Sequence, residues 1–281
     1  MTNPRATIAH AIDHLLPAHG PERLFRIGPV TGHRRDGQGH ATAAMPVPTW
    51  AGWHGTPAAG ALGVLMDDTL GHASLQVRPV DHWVVTTQLD LQFVDSAAAG
   101  SGGLVATSTT MHHDNAGTSV SGRAVDASGR LRCVGTLWSR FVPGVPERTS
   151  ETSVPDLDAD TSGSVGELLG IEWSGRQNAF VLPYRPVVLN SSRAVHGGIL
   201  ATAAEFTGTA ALPASPLVAA SLHVTYLRLA VTDLTFHSEV VHAGRALAVV
   251  DVVARTTSGK PCLAATVTYR STERARAGTT P

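Results

Sequence analysis

The sequence predicts an α+β protein in which one unit is written twice, each unit a buried helix followed by four long antiparallel strands. Three observations carry this prediction. First, a mostly apolar helical segment occurs at 58–77 and again at 196–211. Gly60 aligns with Gly198 and Asp67 with Glu205, at one offset of 138 residues (198 − 60 and 205 − 67). Second, the matches continue in the same order: Val84–Phe93 beside Val218–Tyr226, then Ala127–Arg130 beside Thr257–Lys260, each Ser-Gly pair soon followed by a cysteine, with the offset drifting to about 130. Third, 281 residues accommodate two units of roughly 130, and an apolar fraction of 43% can fill their cores.

Each element has its own signature. The helical segments carry Leu, Ala, Val or Met on most faces, and a helix apolar all round is a buried one. In the next segment Thr87, Leu89, Leu91 and Phe93 alternate with Gln88, Asp90 and Gln92; in its counterpart Leu222, Val224 and Tyr226 alternate with His223 and Thr225. Period two marks a half-buried antiparallel strand. Further strands are predicted at 102–114, 117–127 and 131–142, and at 233–244, 246–256 and 260–271, joined at Asn115–Gly117, Ser128-Gly129, Ala243-Gly244 and Ser258-Gly259. A strand or two should precede each helix. A curved antiparallel sheet around one helix satisfies that order and keeps one sheet face apolar. Residues 145–163, rich in Pro, Ser, Thr and acids, read as a linker between units 1–144 and 164–281.

Composition excludes several classes of function. A net charge of −1 and 5% aromatic residues offer neither a basic stripe nor stacking platforms for nucleic acid. No stretch approaches a membrane span and the first 20 residues lack a signal-peptide pattern, so a soluble cytoplasmic protein is expected. Cys133 and Cys262 have no metal-ligand spacing and read as buried free thiols. His112-His113-Asp114 would point to opposite faces of a strand, and no metal site is expected. The glycine-rich 99–103 reads as a turn, and Ser191 and Ser192 lack a nucleophile-elbow context.

The second helix opens on His196-Gly197-Gly198, with Asn190 six residues before it, Glu205 seven residues after Gly198, and a later strand ending in Tyr226-Leu227-Arg228. This pattern resembles the hotdog-fold acyl-CoA thioesterases of the phenylacetate (PaaI-like) type, over about 20–142 and 165–272. The resemblance implies a tandem double hotdog, packed as an intramolecular pseudo-dimer, with each site shared between units. One unit supplies the Asn and the helix start, the other a helix carboxylate and a strand hydroxyl. The implied catalytic set is Asn190, His196 and Gly197 with Asp67 and Thr86 of the first unit. The mirror site would join Glu205 to Gly52 and Ala58, which replace the Asn and His, with His54-Gly55 displaced from the helix start; it is expected to be degenerate.

In the implied chemistry the backbone N–H of Gly197, at the positive end of the helix, stabilises the oxyanion. Asp67 acts as general base on water or as nucleophile, the two being left open. Asn190 holds the water or the carbonyl, and Thr86 orients Asp67 or the water. Gly198, Asp68 and Arg228 are assigned to substrate binding, with Arg193 and Arg140 as further cations for CoA phosphates. Small residues on the second helix (Ala201, Ala203, Ala204, Gly208) are expected to leave room for a bulky acyl group. The substrate is an acyl-CoA, aryl or medium-chain, with no cofactor beyond the CoA it carries. A homo-oligomer is expected, with no nucleic-acid or membrane partner. Two other readings stand beside hydrolysis: an enoyl-CoA hydratase or dehydratase on the same fold, and a non-catalytic acyl-CoA binder. The plainest reading of His196 is a helix cap.

Overall fold

The computed structural model describes residues 20–46, 50–94, 103–144, 163–176, 178–213 and 216–271. The linker expected over 145–163 and the turn expected over 99–103 lie almost wholly outside these residues. The chain runs α1 (Gly20–Leu24), β1 (Thr31–Arg35), β2 (Gln38–Pro46), α2 (Leu62–Leu75), β3 (His82–Phe93), β4 (Gly103–His113), β5 (Gly117–Asp126) and β6 (Leu131–Pro143). Then follow α3 (Val165–Leu169), β7 (Glu172–Trp173), β8 (Ala179–Leu182), α4 (Gly197–Ala210), β9 (Leu217–Tyr226), β10 (Leu234–Ala243), β11 (Leu247–Thr256) and β12 (Pro261–Ser271).

The twelve strands of the described residues form one sheet in the order β1-β2-β4-β5-β6-β3-β9-β12-β11-β10-β8-β7. The order is the same read inward from either end. The mirrored halves meet at an antiparallel ladder between β3 and β9, from Gln88↔Thr225 to Gln92↔Ser221. Inward-facing Leu89, Leu91, Phe93, Leu222 and Val224 are buried against the helices, as their period-two spacing requires. The protein is thus α+β, with one large antiparallel sheet and two long helices on its apolar face.

The first helix is shorter than the apolar segment that announces it. Ala59–Ala61 form a 3₁₀ turn, and Ala61, at the cap position, has no side chain to accept the free N–H groups. The second helix begins where expected: His196 stands at its cap position, with Nδ1 3.0 Å from the Gly198 nitrogen. The helices touch through small residues. A Cβ on Gly198 would stand 2.4 Å from the Val64 Cα, so only glycine permits this approach. The Thr202 hydroxyl lies 2.8 Å from both the Gly60 and the Gly198 carbonyl oxygens, tying the two helix starts together.

Hydrogen bonds also fix which residues correspond between the halves. The Val94 N–H donates to the Arg132 oxygen as that of Leu227 donates to the Cys262 oxygen, which puts Tyr226 opposite Phe93. Each half has a register shift at the same place: at Thr86/Gln88 in β3, and in β9 where Tyr269 faces Ala219 while Thr268 faces Ser221. Thr86 therefore corresponds to Ala219, and Arg140 to Arg270. The bulge matters for the site. Strict alternation from Leu89 would turn Thr87 inward and Thr86 outward; one extra residue reverses this and aims Thr86 at α2. Cys133 and Cys262 are buried free thiols within β6 and β12.

Candidate active site

The start of α4 abuts the middle of α2. Asp67 Oδ2 accepts the Gly198 N–H at 2.9 Å, linking residues 131 apart in the chain. Asp68 Oδ1 lies 2.8 Å from His196 Nε2, and Asp67 Oδ2 lies 3.5 Å from His196 Nδ1. All three side chains are buried. A Cβ on Gly197 would stand 2.6 Å from Asp67 Oδ2, so the helix start and the carboxylate are in close contact. The Tyr226 hydroxyl donates to the Gly197 carbonyl at 2.8 Å and fixes that peptide plane. The Gly197 N–H has no acceptor among the described residues and sits at the positive end of the helix dipole.

Electrostatics follows from burial and charge neighbours. Burial raises the Asp67 carboxyl above its usual range, the His196 charge opposes this, and the Asp68 charge adds to it. Burial by itself would lower His196, but Asp68, then Asp67, then Glu22 of α1 push it up to about 9. The imidazolium is therefore the favoured form at neutral pH, and in that form the Gly198 N–H rests on Asp67 rather than on the ring. Burial, with Asp67 adding, raises Tyr226 well above its ordinary value, which keeps it a donor.

A cleft of about 640 Å³ opens beside these groups. Its position has a simple cause. The β3–β9 ladder stops at Gln88 and Thr225, and beyond that pair the strands diverge, leaving Trp83–Thr87 on one side and Tyr226–Ala230 on the other. One face of α2 forms its inner wall: Asp67, Asp68, Gly71, His72 and Leu75. Arg140 and Arg228 stand on its border.

The structure brings Asp67, Asp68, Thr86, His196 and Gly197 together in this cleft, with three changes to the sequence reading. Asn190 lines the cleft, but its Oδ1 accepts the N–H groups of Ser192 and Ala194; that oxygen shapes its own loop and is not free to hold water. Thr86 reaches Asp67 Oδ1 at 3.5 Å, the outer limit of a hydrogen bond. Ala201, Ala203, Ala204 and Gly208 do not leave acyl space: the three alanines are fully buried, and Gly208 is packed under the Tyr269 hydroxyl. The open space lies along α2, beside Gly71, where a Cβ would meet nothing within 4 Å. His196 stands at the cap position of α4 and belongs to the cluster. Sequence reading missed Glu22, His72 and Trp83. His72 carried a signal, since four residues after Asp68 on a helix is the same face; Glu22 and Trp83 carried none.

The mirror position is closed. Glu205 is buried, Thr209 donates to its Oε1 at 2.9 Å, and its Oε2 has no hydrogen-bond partner among the described residues. Burial raises this carboxyl to about 7, against the opposing Thr209 hydroxyl and Gly60 N–H. Ala58, Ala219 and Phe93 stand where His196, Thr86 and Tyr226 stand in the other half. Arg270 donates to the Val94 oxygen at 2.8 Å and bridges the gap that its counterpart Arg140 leaves open.

Residues 193–263 match the model of the thioesterase superfamily. No curated protein matches the chain. Among solved structures, a tesB protein of Mycobacterium avium subs paratuberculosis superposes with a TM-score of 0.57 at 10% identity, covering 90% of this chain and 99% of that one. An acyl-CoA thioesterase II of Mycobacterium marinum gives 0.54 at 12%, covering 91% and 99%. A 12:0-ACP thioesterase of Umbellularia californica gives 0.54 at 15%, covering 83% and 94%. The chain shares its fold with these thioesterases over most of its length. The family match falls on the helix that carries His196, Gly197 and Gly198, and it supports a thioester hydrolase.

Proposed function

We propose that this chain hydrolyses an acyl-CoA thioester to free acid and CoA at one composite site between two tandem hotdog units, 1–144 and 164–281, joined by the 145–163 linker. The observation that carries the reading is the contact of Asp67 with the first turn of α4, at the inner wall of an open cleft. It unites a carboxylate of one half with the helix start of the other, and neither half holds both.

In the proposed reaction the thioester carbonyl enters with its oxygen at the Gly197 N–H. Asp67 Oδ1, which faces Thr86 while Oδ2 is held by Gly198, takes a proton from water. The hydroxide oxygen bonds to the carbonyl carbon and the negative charge moves onto the carbonyl oxygen, beside the helix dipole. Collapse breaks the C–S bond, and the proton on Asp67 goes to the departing thiolate. A raised carboxyl value favours this step by making Asp67 a stronger base at neutral pH. Direct attack by Asp67 would use the same atoms; a single turnover in heavy-oxygen water labels the Asp67 carboxyl only in that case. Arg140 and Arg228 supply charge for the CoA phosphates.

The test is thiol release from a panel of acyl-CoAs. Asp67→Asn and Asp67→Ala are expected to lower the rate by about 10²-fold or more, the range of general-base catalysis. Glu205→Ala is expected to retain activity wherever it folds. Full activity in Asp67→Ala sinks the reading, and hydration of an enoyl-CoA without thiol release replaces it with the hydratase alternative.

A further inference from the structure

A third carboxylate, Glu22, lines the cleft beside Asp67, Asp68 and His196, and the reaction just described does not use it. It is buried, and it comes from α1, which precedes the first strand and packs on the opposite half of the molecule. Gly20 makes the contact: a Cβ there would stand 2.6 Å from the Val187 oxygen, in the 3₁₀ turn Pro186–Val188. The same turn anchors the start of α4, since the Val188 oxygen accepts the His196 N–H at 2.9 Å. The first half thus delivers Glu22 to the turn that holds His196.

The closed mirror position provides an internal comparison. The Ile27 N–H donates to the Glu22 oxygen at 2.7 Å, and the Ile171 N–H donates to the Gly166 oxygen at 2.7 Å. Arg26 and Gly170 share the left-handed conformation, with φ of 55° and 64°. The backbone of α3 therefore repeats that of α1, and Gly166 stands where Glu22 stands. A Cβ on Gly166 would lie 2.7 Å from the ring of Phe206, the residue 138 positions after Asp68. With Ala58 in the place of His196, the mirror position lacks the cation, the carboxylate beside it and the third carboxylate together. The open site has all three, as a set acting through the His196 charge requires.

We infer that Glu22 is a positioning residue for the hydrolysis: with Asp68 it keeps the His196 ring charged, and the charged ring leaves the Gly198 N–H on Asp67. This inference rests on the thioesterase reading and adds a residue to its machinery. The Gly198 N–H has two acceptors within reach, Asp67 Oδ2 at 2.9 Å and His196 Nδ1 at 3.0 Å. A charged ring carries a proton on Nδ1 and cannot accept there, so Asp67 is held with Oδ1 toward the cleft. A neutral ring keeps its proton on Nε2, toward Asp68, and offers Nδ1 to the same N–H, which then lets the Asp67 carboxylate go. The groups facing the ring are Asp67, Asp68 and His72 from α2, Tyr226 from β9 and Glu22 from α1, with Arg140 and Arg228 on the cleft border. Burial holds His72 below the usual histidine range and Tyr226 remains a donor, so the three carboxylates set the balance.

The experiment uses Glu22→Gln, which keeps the shape and removes the charge, and Glu22→Asp, which keeps the charge on a shorter arm. Thiol release from an acyl-CoA is followed from about pH 6 to about pH 10. In wild type the rate is expected to fall through about 9, where His196 loses its proton. In Glu22→Gln that fall should move down by about one pH unit, the effect of one neighbouring charge, so that the rate at pH 9 relative to pH 7 drops about fivefold further. Glu22→Asp should recover part of the shift. A fall at the wild-type place in Glu22→Gln, or a loss equal at every pH, overturns the inference. NMR titration of the histidine rings, with the His196 signal assigned by its absence in His196→Gln, reads the same shift without substrate. If no acyl-CoA is hydrolysed, a lowered His196 titration in Glu22→Gln supports the hold of Glu22 on the ring and counts against the hydrolase reading alone. An unmoved titration counts against Glu22.

Discussion

Asp67 and Asp68 are adjacent in sequence and differ in what holds them. Asp67 accepts from a backbone N–H and keeps one oxygen toward the cleft, whereas Asp68 is spent on His196 and has one oxygen without a hydrogen-bond partner among the described residues. The proposed base is therefore Asp67, and Asp68 is a positioning residue that acts through the His196 ring. A consequence is readable in pH. His196 stands at about 9 in the folded protein against 6.5 for the free side chain, so its pairing stabilises the fold fully below about 6.5 and ceases to as pH rises through 9. Asp68→Asn should destabilise strongly at pH 6 and much less at pH 10, as denaturant melts at both values would show; a loss that is equal at the two removes the pairing from the account. Glu205 has the opposite logic. Its folded value of about 7 exceeds 4.5, so the buried neutral acid favours folding at low pH, and that contribution is lost as pH rises through 7. Glu205→Gln should raise stability at pH 9 by up to roughly 3 kcal/mol and leave thiol release within about twofold. Unchanged stability across pH 5 to 9 would contradict the burial argument.

At the scale of elements, two neighbouring glycines divide the work of the α4 start. A Cβ on Gly197 would press a carboxylate oxygen, whereas one on Gly198 would press the backbone of α2 at Val64. Side chains turn aside more readily than helices separate. Gly197→Ala is accordingly expected to lower kcat by about 10²-fold, the scale of general-base catalysis lost when Asp67 is displaced, with a small shift in melting temperature. Gly198→Ala is expected to cost about 1–3 kcal/mol or more of stability, as overpacked cores do. Steady-state kinetics beside thermal melts separates the two, and the reverse ranking would mean that the contact with Asp67 is not what Gly197 protects. The β3 bulge is a further element-level device: by one inserted residue it turns Thr86, rather than Thr87, toward the carboxylate.

At the scale of the molecule, the two halves share a sheet ladder, a helix pair and the proposed site. Cutting between them exposes the β3 and β9 edges and the apolar faces of both long helices. Residues 1–144 and 164–281 produced separately should each lack thiol-release activity and associate poorly with solvent, and co-production should restore activity. Activity in either half alone would refute a site shared between them. The closed mirror position fits the same picture: the alanines at 58 and 219 and the phenylalanine at 93 cannot supply the groups that His196, Thr86 and Tyr226 supply.

Local pattern determined the scaffold. The all-apolar helices, the period-two strands and the turn residues between them are consequences of which face each residue must bury, so element order and most boundaries were legible. The drift in offset was legible too, and it reappears as the different spacing of corresponding strands. The candidate residues Asp67, His196 and Gly197 were legible through the family resemblance, and Asp67 also because a carboxylate inside an apolar helix violates the pattern around it. What only the tertiary structure decided was contact between residues far apart in the chain. The nearer partner of His196 is Asp68, with Asp67 behind it, the Oδ1 of Asn190 is taken by its own loop, and the open space lies along α2 rather than beside the small residues of α4. Each depends on how closely two helices approach and where a strand ladder ends. Those are properties of packing between elements, and no periodicity within one element records them.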